Sequence, residues 1–96
     1  MAALDLFGRR WALRILWELR AGPVGPRELM ARCEGLSPSV LYERLRDLAV
    51  AGLLVRTDNG YSLTRLGRSL GSSIEPLDKW SRQWARELES VTIAST

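Results

Sequence analysis

The sequence contains no histidine, one cysteine and one lysine in 96 residues. Without histidine, the usual zinc ligand sets and the commonest acid–base catalyst are excluded. The single thiol, that of Cys33, excludes an intramolecular disulfide. A glycine-rich phosphate loop is also missing, and the carboxylates are scattered without visible pairing. We therefore expect no enzyme activity, no metal and no cofactor.

Long apolar runs are missing too. No stretch approaches the roughly 20 apolar residues that a membrane-spanning helix requires, and the opening MAALDLFGRRW lacks the apolar core of a signal peptide. We therefore expect a cytoplasmic protein with no membrane contact. Because 96 residues with 46% hydrophobic content suit one globular unit, we predict a single domain over residues 1–96.

What the sequence does contain is a series of capping and turn signals between Ser37 and Leu70. Ser37 is a favourable N-cap, and Pro38 suits the first helical position because an N–H there would be unpaired. Gly52 can end the helix as its C′ residue. An apolar face at i, i+4 and i+7 is formed by Leu41, Leu45 and Leu48. These signals predict a helix over residues 37–51.

A tight hairpin and a further helix follow. Residues 53–56 suit a short strand, residues 61–63 suit the returning strand, and Asp58-Asn59-Gly60 is a strong turn signal. We predict a two-residue turn at Asn59-Gly60, since both residue types tolerate positive φ. Thr64 can cap the next helix.

Two more helices are predicted upstream. Residues Arg9–Arg20 carry a broad apolar stripe, and Pro26 opens a short helix, so three helices would precede the hairpin. The last two form a helix-turn-helix. The predicted fold class is mainly α (α+β). It is a winged helix-turn-helix with a three-helix core and a short two-stranded wing over residues 8–70, followed by a long C-terminal dimerisation helix over residues 71–90.

The C-terminal region has an apolar stripe in steps of three and four, formed by Leu66, Leu70, Ile74, Leu77, Trp80, Trp84 and Leu88. Pro76 interrupts it, so we expect a kink or a break there. Because a small core cannot cover so long a stripe, we predict a two-fold dimer. Its predicted interface residues are Leu6, Phe7, Trp11, Leu77, Trp80, Trp84 and Leu88. The alternative is that the helix folds back over its own domain.

A helix followed by a hairpin and a second helix most often serves to hold the first helix in a DNA groove. We predict that helix 37–51 enters the major groove. Its outward face, which would meet base edges, is formed by Ser39, Tyr42, Glu43 and Arg46. The alternative is a solvated face whose charges form weak pairs within the helix.

Contacts to the DNA backbone are predicted around this helix and on the wing. Residues 1–70 carry eleven arginines against seven acids, whereas residues 71–96 carry three cations against four acids. The positive charge therefore lies on the predicted DNA-binding part. The candidate residues are Ser37, Arg27, Arg44, Arg56, Asn59 and Arg65. Because the wing is short, few of its residues can reach DNA.

Several short motifs occur in a specific order. The most specific stretch is Leu36-Ser37-Pro38 followed by Leu41, Arg44-Leu45, Leu48, Gly52-Leu53 and Arg56. The others are Gly8-Arg9-Arg10-Trp11 with Ile15-Leu16, Glu28-Leu29, Tyr61-Ser62-Leu63-Thr64 with Gly67 and Leu70, and Trp80. With these motifs the sequence resembles the HxlR-type winged helix-turn-helix regulators, relatives of the MarR group, from about Gly8 to Trp84.

The resemblance implies a homodimeric transcriptional regulator that binds double-stranded DNA at an inverted-repeat operator and dimerises through its N-terminal and C-terminal helices. The sequence departs from the family at Gly25-Pro26, where Arg-Phe is frequent, and in its short wing. Redox-sensing members carry a cysteine just before the position of Trp11, and this chain has none there. We interpret Cys33 as an apolar core residue.

Two other functions remain open at the level of sequence. One is a winged-helix protein-interaction module that binds a larger regulator through its tryptophan stripe and has little DNA affinity. The other is a regulator gated by a small aromatic effector at the dimer interface. Trp11, Trp17, Trp80 and Trp84 could line a flat pocket for such a ligand.

Overall fold

A computed structural model describes the backbone of residues 2–95 and the side chains of residues 4–91. Its elements are α1 (Ala2–Phe7), α2 (Ala12–Glu18), α3 (Pro26–Arg32), α4 (Pro38–Val50), β1 (Leu54–Thr57), β2 (Gly60–Leu63) and α5 (Arg65–Ser95). The predicted fold class is confirmed, since α3 and α4 form a helix-turn-helix and β1 and β2 form the wing. Within residues 2–95, no helix is both long enough and apolar enough to cross a membrane.

The core lies between α2, α3, α4 and the base of the wing. Helix α4 turns its predicted apolar face inward, so that Leu41, Leu45 and Leu48 are each no more than 2% exposed. They pack with Ile15, Leu16, Leu19, Leu29, Cys33, Leu53, Leu54 and Leu63. Burial raises the pKa of the Cys33 thiol, as expected of a cysteine that serves as an apolar core residue.

Both ends of α4 have the chemistry that the sequence indicates. At the start, Ser37 Oγ accepts a hydrogen bond from the Val40 backbone N–H at 3.3 Å. At the end, Gly52 adopts a φ of +79°. The Gly52 N–H donates to the Ala49 carbonyl at 3.0 Å and the Leu53 N–H to the Leu48 carbonyl at 3.0 Å. This pair of bonds is a Schellman motif, which satisfies the last carbonyls of the helix.

The wing is a two-stranded antiparallel hairpin in which Leu54 pairs with Leu63 and Thr57 with Gly60. Its two loop residues are therefore Asp58 and Asn59, so the predicted turn is wrong by one residue. Positive φ falls on Gly60, at +117°. The Thr57 hydroxyl donates to the Gly60 carbonyl at 2.9 Å and accepts from the Asn59 N–H at 3.3 Å. This side chain closes the turn, which explains why no longer loop is needed.

The loop between α2 and α3 holds the wing against the core, a contact that the sequence did not indicate. Val24 forms an isolated antiparallel bridge with Tyr61. The Val24 N–H donates to the Tyr61 carbonyl at 3.0 Å, and the Tyr61 N–H donates back at 2.9 Å. Gly60 lies directly beside this bridge, where an added Cβ would come within 2.6 Å of the Val24 backbone. The glycine is therefore required by close approach as well as by its φ.

The N-terminal region differs from the prediction. The helix predicted over Arg9–Arg20 begins only at Ala12, and a separate short helix, α1, precedes it. Four helices thus come before the wing in the described chain. The break occurs because residues 8–11 form a turn in which Trp11 has a φ of 77°. An apolar stripe does not report a single left-handed residue, so periodicity merged the turn with the helix.

Helix α5 begins at Arg65 and continues through Pro76 to Ser95. The predicted break at Pro76 is therefore wrong, and the boundary between the wing region and the final helix lies at residue 65, not 71. Thr64 caps α5 as predicted, because its Oγ1 accepts from the Gly67 N–H at 3.0 Å. Ser72 caps nothing; its hydroxyl donates to the Ser69 carbonyl at 2.7 Å.

The length of α5 makes the molecule elongated. The radius of gyration is 15.3 Å and the longest dimension is 52 Å, whereas a compact domain of about 100 residues has a radius near 13 Å. Leu70 and Ile74 pack against the core. Further along, Leu77, Trp80 and Trp84 are 48–56% exposed. The fold-back alternative therefore holds only for the first half of α5.

Two glycines of α5 provide a matched test of this packing. A Cβ on Gly67 would collide with the Leu53 carbonyl oxygen, whereas a Cβ on Gly71 would meet nothing within 4 Å. We expect Gly67→Ala to lower the free energy of unfolding by about 1–3 kcal/mol through overpacking. Gly71→Ala should raise it by up to about 1 kcal/mol, because alanine is the better helix former. Urea unfolding followed by circular dichroism measures both, and equal stabilities would contradict the close contact.

Candidate nucleic-acid interface

The outer face of α4 carries the four side chains predicted to meet DNA bases. Ser39, Tyr42, Glu43 and Arg46 are all exposed. The spacing i, i+3, i+4 and i+7 places them on one face because α4 is a regular helix of 13 residues. The buried leucines fix this face outward, since they occupy the opposite side of the same helix.

These four side chains differ in how much of their bonding capacity is already used. Glu43 Oε1 lies 3.2 Å from Arg44 Nη1, and Ser39 Oγ lies 3.3 Å from Ser37 Oγ. Tyr42 is 47% exposed. Arg46 is exposed and has no hydrogen-bonding or ionic partner among residues 2–95. Arg46 is therefore the donor of this face that is most available to a ligand.

Arginine side chains divide sharply according to whether they have a partner. Of the eleven arginines before residue 71, seven contact other groups of the chain, namely Arg9, Arg10, Arg14, Arg20, Arg32, Arg44 and Arg68. The other four have no such partner within the described chain, namely Arg27, Arg46, Arg56 and Arg65. All four are exposed. They are also four of the five arginines that the sequence nominated for DNA.

The fifth nominated arginine, Arg44, has a different environment. Its side chain is only 15% exposed. Its Nε donates to the Arg10 carbonyl oxygen at 2.8 Å, and its Nη1 donates to Asp47 Oδ2 at 3.2 Å. A guanidinium held in this way has few donors left for a phosphate. The sequence could not show this, because Arg10 and Arg44 are 34 positions apart.

Asp47 receives two arginines. Arg9 Nη1 lies 2.7 Å from Asp47 Oδ2, and Arg44 Nη1 reaches the same oxygen. The hydrogen bond from Arg9 is the main cause that holds the pKa of Asp47 below its ordinary value. The same contact raises the pKa of Arg9. Sequence analysis missed both residues as a pair, although Arg44 and Asp47 at i, i+3 gave a weak local signal.

The candidates for backbone contact lie on three different elements. Arg27 is on the first turn of α3 and lines a shallow groove with Tyr42 and Pro38 of α4. Arg56 is on β1, opposite Tyr61, and Asn59 is on the wing turn. Arg65 is the first residue of α5. Ser37 forms the N-cap of α4, so its hydroxyl already serves the helix.

The predicted dimer residues fall into two groups. Leu6, Phe7 and Trp11 are half-buried and pack against the core of their own chain. Leu77, Trp80, Trp84 and Leu88 lie on the projecting half of α5 and are about half exposed. Trp80 and Trp84 stack with ring centroids 5.6 Å apart. The C-terminal group thus forms a continuous exposed apolar face.

The four tryptophans do not meet within one chain. Trp11 approaches the Gly35 turn at 3.9 Å, whereas Trp17 lines a groove of about 390 Å³ between α2 and α5. The Arg20 guanidinium lies over the Trp17 ring, 3.8 Å from its centroid. Any pocket that includes all four rings therefore needs a second copy of the chain.

The arrangement as a whole is one of recognition by shape and charge. A capped helix with an outward polar face, a preceding helix, a short wing and exposed arginines define the winged helix-turn-helix class of DNA-binding proteins. In the described part of the chain, no group of three His, Cys, Asp or Glu residues is placed to hold a metal ion.

Comparison with known proteins gives the family. The HxlR-like helix-turn-helix family matches residues 6–89. The chain therefore belongs to this family of transcriptional regulators, and the resemblance seen in the sequence is confirmed. Members of the family act as regulators rather than as enzymes.

Relatives with similar sequences are transcriptional regulators by description. YvaP of Bacillus subtilis, an uncharacterised HTH-type transcriptional regulator, is 32% identical over 89 residues, which cover 85% of this chain and 82% of YvaP. Mb3122 of Mycobacterium bovis, also an uncharacterised HTH-type regulator, is 35% identical over 98 residues, which cover 95% of this chain and 61% of Mb3122.

Solved structures share the fold over most of its length. Quinone-bound YodB of B. subtilis superposes with a TM-score of 0.79 at 29% identity, covering 85% of this chain and 93% of YodB. A structure described as an HxlR family transcriptional factor from Thermoplasma volcanium also gives 0.79, at 26% identity, covering 86% of this chain and 81% of the other.

Asp47 gives the stability of this region a testable acid dependence. Because its pKa is lowered in the folded state, its ion pairs stabilise the fold above the unfolded-state pKa of about 3.9. That contribution is lost as the pH falls through the lowered folded-state pKa. We therefore expect the melting temperature of Asp47→Asn to decrease less steeply than that of the wild type below about pH 4. Thermal melts followed by circular dichroism measure this slope.

The matched control is Asp58→Asn, which removes an exposed carboxylate from the wing turn. Its melting temperature should follow the wild-type slope. Identical acid slopes for the wild type and Asp47→Asn would contradict the role of Asp47 as an ionised partner of Arg9.

Proposed function

We propose that this protein is a homodimeric transcriptional regulator that binds double-stranded DNA in a sequence-specific manner, with α4 in the major groove. The observation that carries the proposal is the division of the arginines. Those without a partner among residues 2–95 and before residue 71 are the ones on α4, beside it, on the wing and at the start of α5. An unpaired guanidinium is available to a phosphate or a guanine at little desolvation penalty.

Base recognition in this proposal rests on the outer face of α4. Arg46 can donate a bidentate pair to a guanine, and Glu43 can accept from a cytosine amine. Tyr42 can contact a thymine methyl, and Ser39 can bond several acceptors or donors. Because Glu43 already pairs with Arg44 at 3.2 Å, we assign Arg46 the larger part of the specificity.

Contacts to the DNA backbone are assigned to Arg27, Arg56 and Arg65. They flank α4 on α3, β1 and α5, which is the arrangement by which phosphate contacts fix the register of a recognition helix. Asn59 is a further candidate on the wing turn. The wing has only two loop residues, so a minor-groove contact would be small and α4 carries most of the recognition.

The exposed apolar face of α5 supports the homodimer. Leu77, Trp80 and Trp84 are 48–56% exposed, and a tryptophan pair of this kind is typical of an interface rather than of a solvated helix. A second copy offers the same face by two-fold symmetry. Two recognition helices related in this way would bind half-sites of an inverted repeat about one helical turn, roughly 34 Å, apart or a multiple of it.

An effector is the second element for which one observation speaks. The solved YodB structure contains a quinone, and this chain has a groove of about 390 Å³ beside Trp17. A small aromatic ligand is therefore the candidate effector. Repeating the DNA-binding assay described next with 1,4-benzoquinone present tests it, since release of the duplex would support gating and unchanged binding would oppose it.

The central prediction concerns two arginines with different roles. A duplex obtained by selection from genomic fragments should show a footprint with two-fold symmetry. We expect Arg46→Ala to weaken binding to that duplex by about 1–3 kcal/mol and to relax the preference at one base position in each half-site. Arg56→Ala should weaken all duplexes alike and reduce the salt slope by about one. Mobility shifts over a series of salt concentrations measure both effects.

Arg86→Ala is the control for these two changes. Arg86 is exposed on the far part of α5, so binding should be unaltered. A wild-type protein that binds the selected duplex no better than random DNA would overturn the proposal. That result, combined with capture of a different protein chain by the tryptophan face, would instead favour the protein-interaction module.

The dimer has its own test. We expect Trp84→Ala to raise the dissociation constant of the dimer at least about tenfold, because a buried tryptophan is the commonest hot spot of an interface. Arg86→Ala alters the opposite face of α5, half a helical turn away, and should leave the dimer intact. Sedimentation equilibrium of the three proteins measures this. A wild-type protein that remains monomeric at micromolar concentration would contradict the prediction.

A further inference from the structure

Three charged side chains link α4 to the turn that precedes α2. We call them the α4 clasp, and they are Arg9, Arg44 and Asp47. Asp47 Oδ2 lies 2.7 Å from Arg9 Nη1 and 3.2 Å from Arg44 Nη1. Arg44 Nε also donates to the Arg10 carbonyl oxygen at 2.8 Å. The clasp thus bonds both to a side chain and to the backbone of the turn.

The turn held by the clasp has a strained backbone. Trp11 adopts a φ of 77° and a ψ of −12°, and it is the one non-glycine residue with positive φ in the described chain. Such a conformation in a bulky residue persists only where the surrounding contacts hold it. The Arg10 guanidinium lies 5.5 Å from the centre of the Trp11 ring, and the Arg10 carbonyl is fixed from the other side by Arg44.

The clasp occupies a central position in the proposed function. Asp47 adjoins Arg46, the main candidate for base recognition, and Arg44 precedes it by two residues on the same helix. On the other side, the turn continues into α1, where Leu6 and Phe7 pack against the core. A change in the turn would therefore be transmitted to α4 through charge-assisted hydrogen bonds, which are short and directional.

We propose that the α4 clasp sets the orientation of the recognition helix, so that Arg44 and Asp47 are positioning residues for DNA binding and not phosphate contacts. The inference rests on the proposed function, because the orientation of α4 matters to affinity only if α4 meets DNA. Several base contacts must form together within hydrogen-bonding distance. A small rotation of α4 would break more than one of them.

The two roles of Arg44 predict opposite results for Arg44→Lys. A phosphate contact needs only positive charge, which lysine keeps. A clasp needs a planar fork that reaches the Arg10 carbonyl and the Asp47 carboxylate at once, and an ammonium group cannot supply it. Arg44→Lys therefore separates charge from geometry, and Asp47→Asn tests the clasp from its other partner without altering any cation.

The first experiment uses the full chain and the duplex selected above. We expect Arg44→Lys and Asp47→Asn each to weaken binding about tenfold, which is within the range of coupled neighbouring groups. The dependence of the binding constant on salt should keep its wild-type slope, because no phosphate contact is lost. The control pair is Arg27→Lys, which should bind within about twofold of the wild type, and Arg27→Ala, which should reduce the slope by about one.

The second experiment does not need DNA. In the turn, the Arg9 N–H donates to the Leu6 carbonyl at 3.3 Å and the Ala12 N–H to the Arg9 carbonyl at 3.2 Å. We expect these two amides to exchange with solvent about tenfold faster in Arg44→Lys and Asp47→Asn than in the wild type. The amide of Leu53, at the far end of α4, should keep its wild-type rate and so shows that each variant is folded.

The outcomes separate the two proposals. Faster exchange in the turn together with weaker DNA binding at an unchanged salt slope supports the clasp. Wild-type exchange in both variants overturns it, whether or not DNA binds. Faster exchange with wild-type affinity, or a slope lowered by about one in Arg44→Ala, overturns the positioning role. Faster exchange in a protein that binds no selected duplex overturns the proposed function while leaving the clasp as a structural contact only.

Discussion

The backbone of Leu53 joins the three elements on which the DNA-binding part of the molecule is built. Its N–H closes the end of α4 by donating to the Leu48 carbonyl, and its own carbonyl accepts from the Thr64 N–H, each at 3.0 Å. The Thr64 hydroxyl donates to the Gly52 carbonyl at 2.6 Å. Gly67 allows α5 to approach the same place. Because buried backbone groups must be paired, these bonds fix the wing and α5 relative to α4.

With that joint in place, the charges of the molecule take separate roles. Arginines that face acids or carbonyl groups hold the elements together, as Arg44 does at Asp47. Those without partners in the described chain lie around the outer face of α4. The formal charge of +3 is small, yet internal pairing uses the acids of the DNA-binding half elsewhere and leaves the cations of this face uncompensated. A modest net charge is therefore compatible with a basic surface.

Much of the fold followed from local chemistry. The N-cap at Ser37, the C′ glycine at Gly52 and the cap at Thr64 were predicted because each depends on residues within a few positions of one another. The predictions failed where one residue departed from a pattern. Positive φ at Trp11 divided the first predicted helix, and Pro76 was accommodated within α5 because an exposed helix tolerates one missing hydrogen bond when its neighbouring turns are intact.

The sequence by itself determined the order of elements, the buried face of α4 and therefore which side chains α4 turns outward, since helical periodicity depends only on spacing. It also determined the membership of the family. Only the tertiary structure decided which arginines are engaged and which are not, because Arg9 meets Asp47, and Arg10 meets Arg44, across more than thirty positions of the chain. Pairing between distant charges depends on the packing of the helices, which local patterns do not encode.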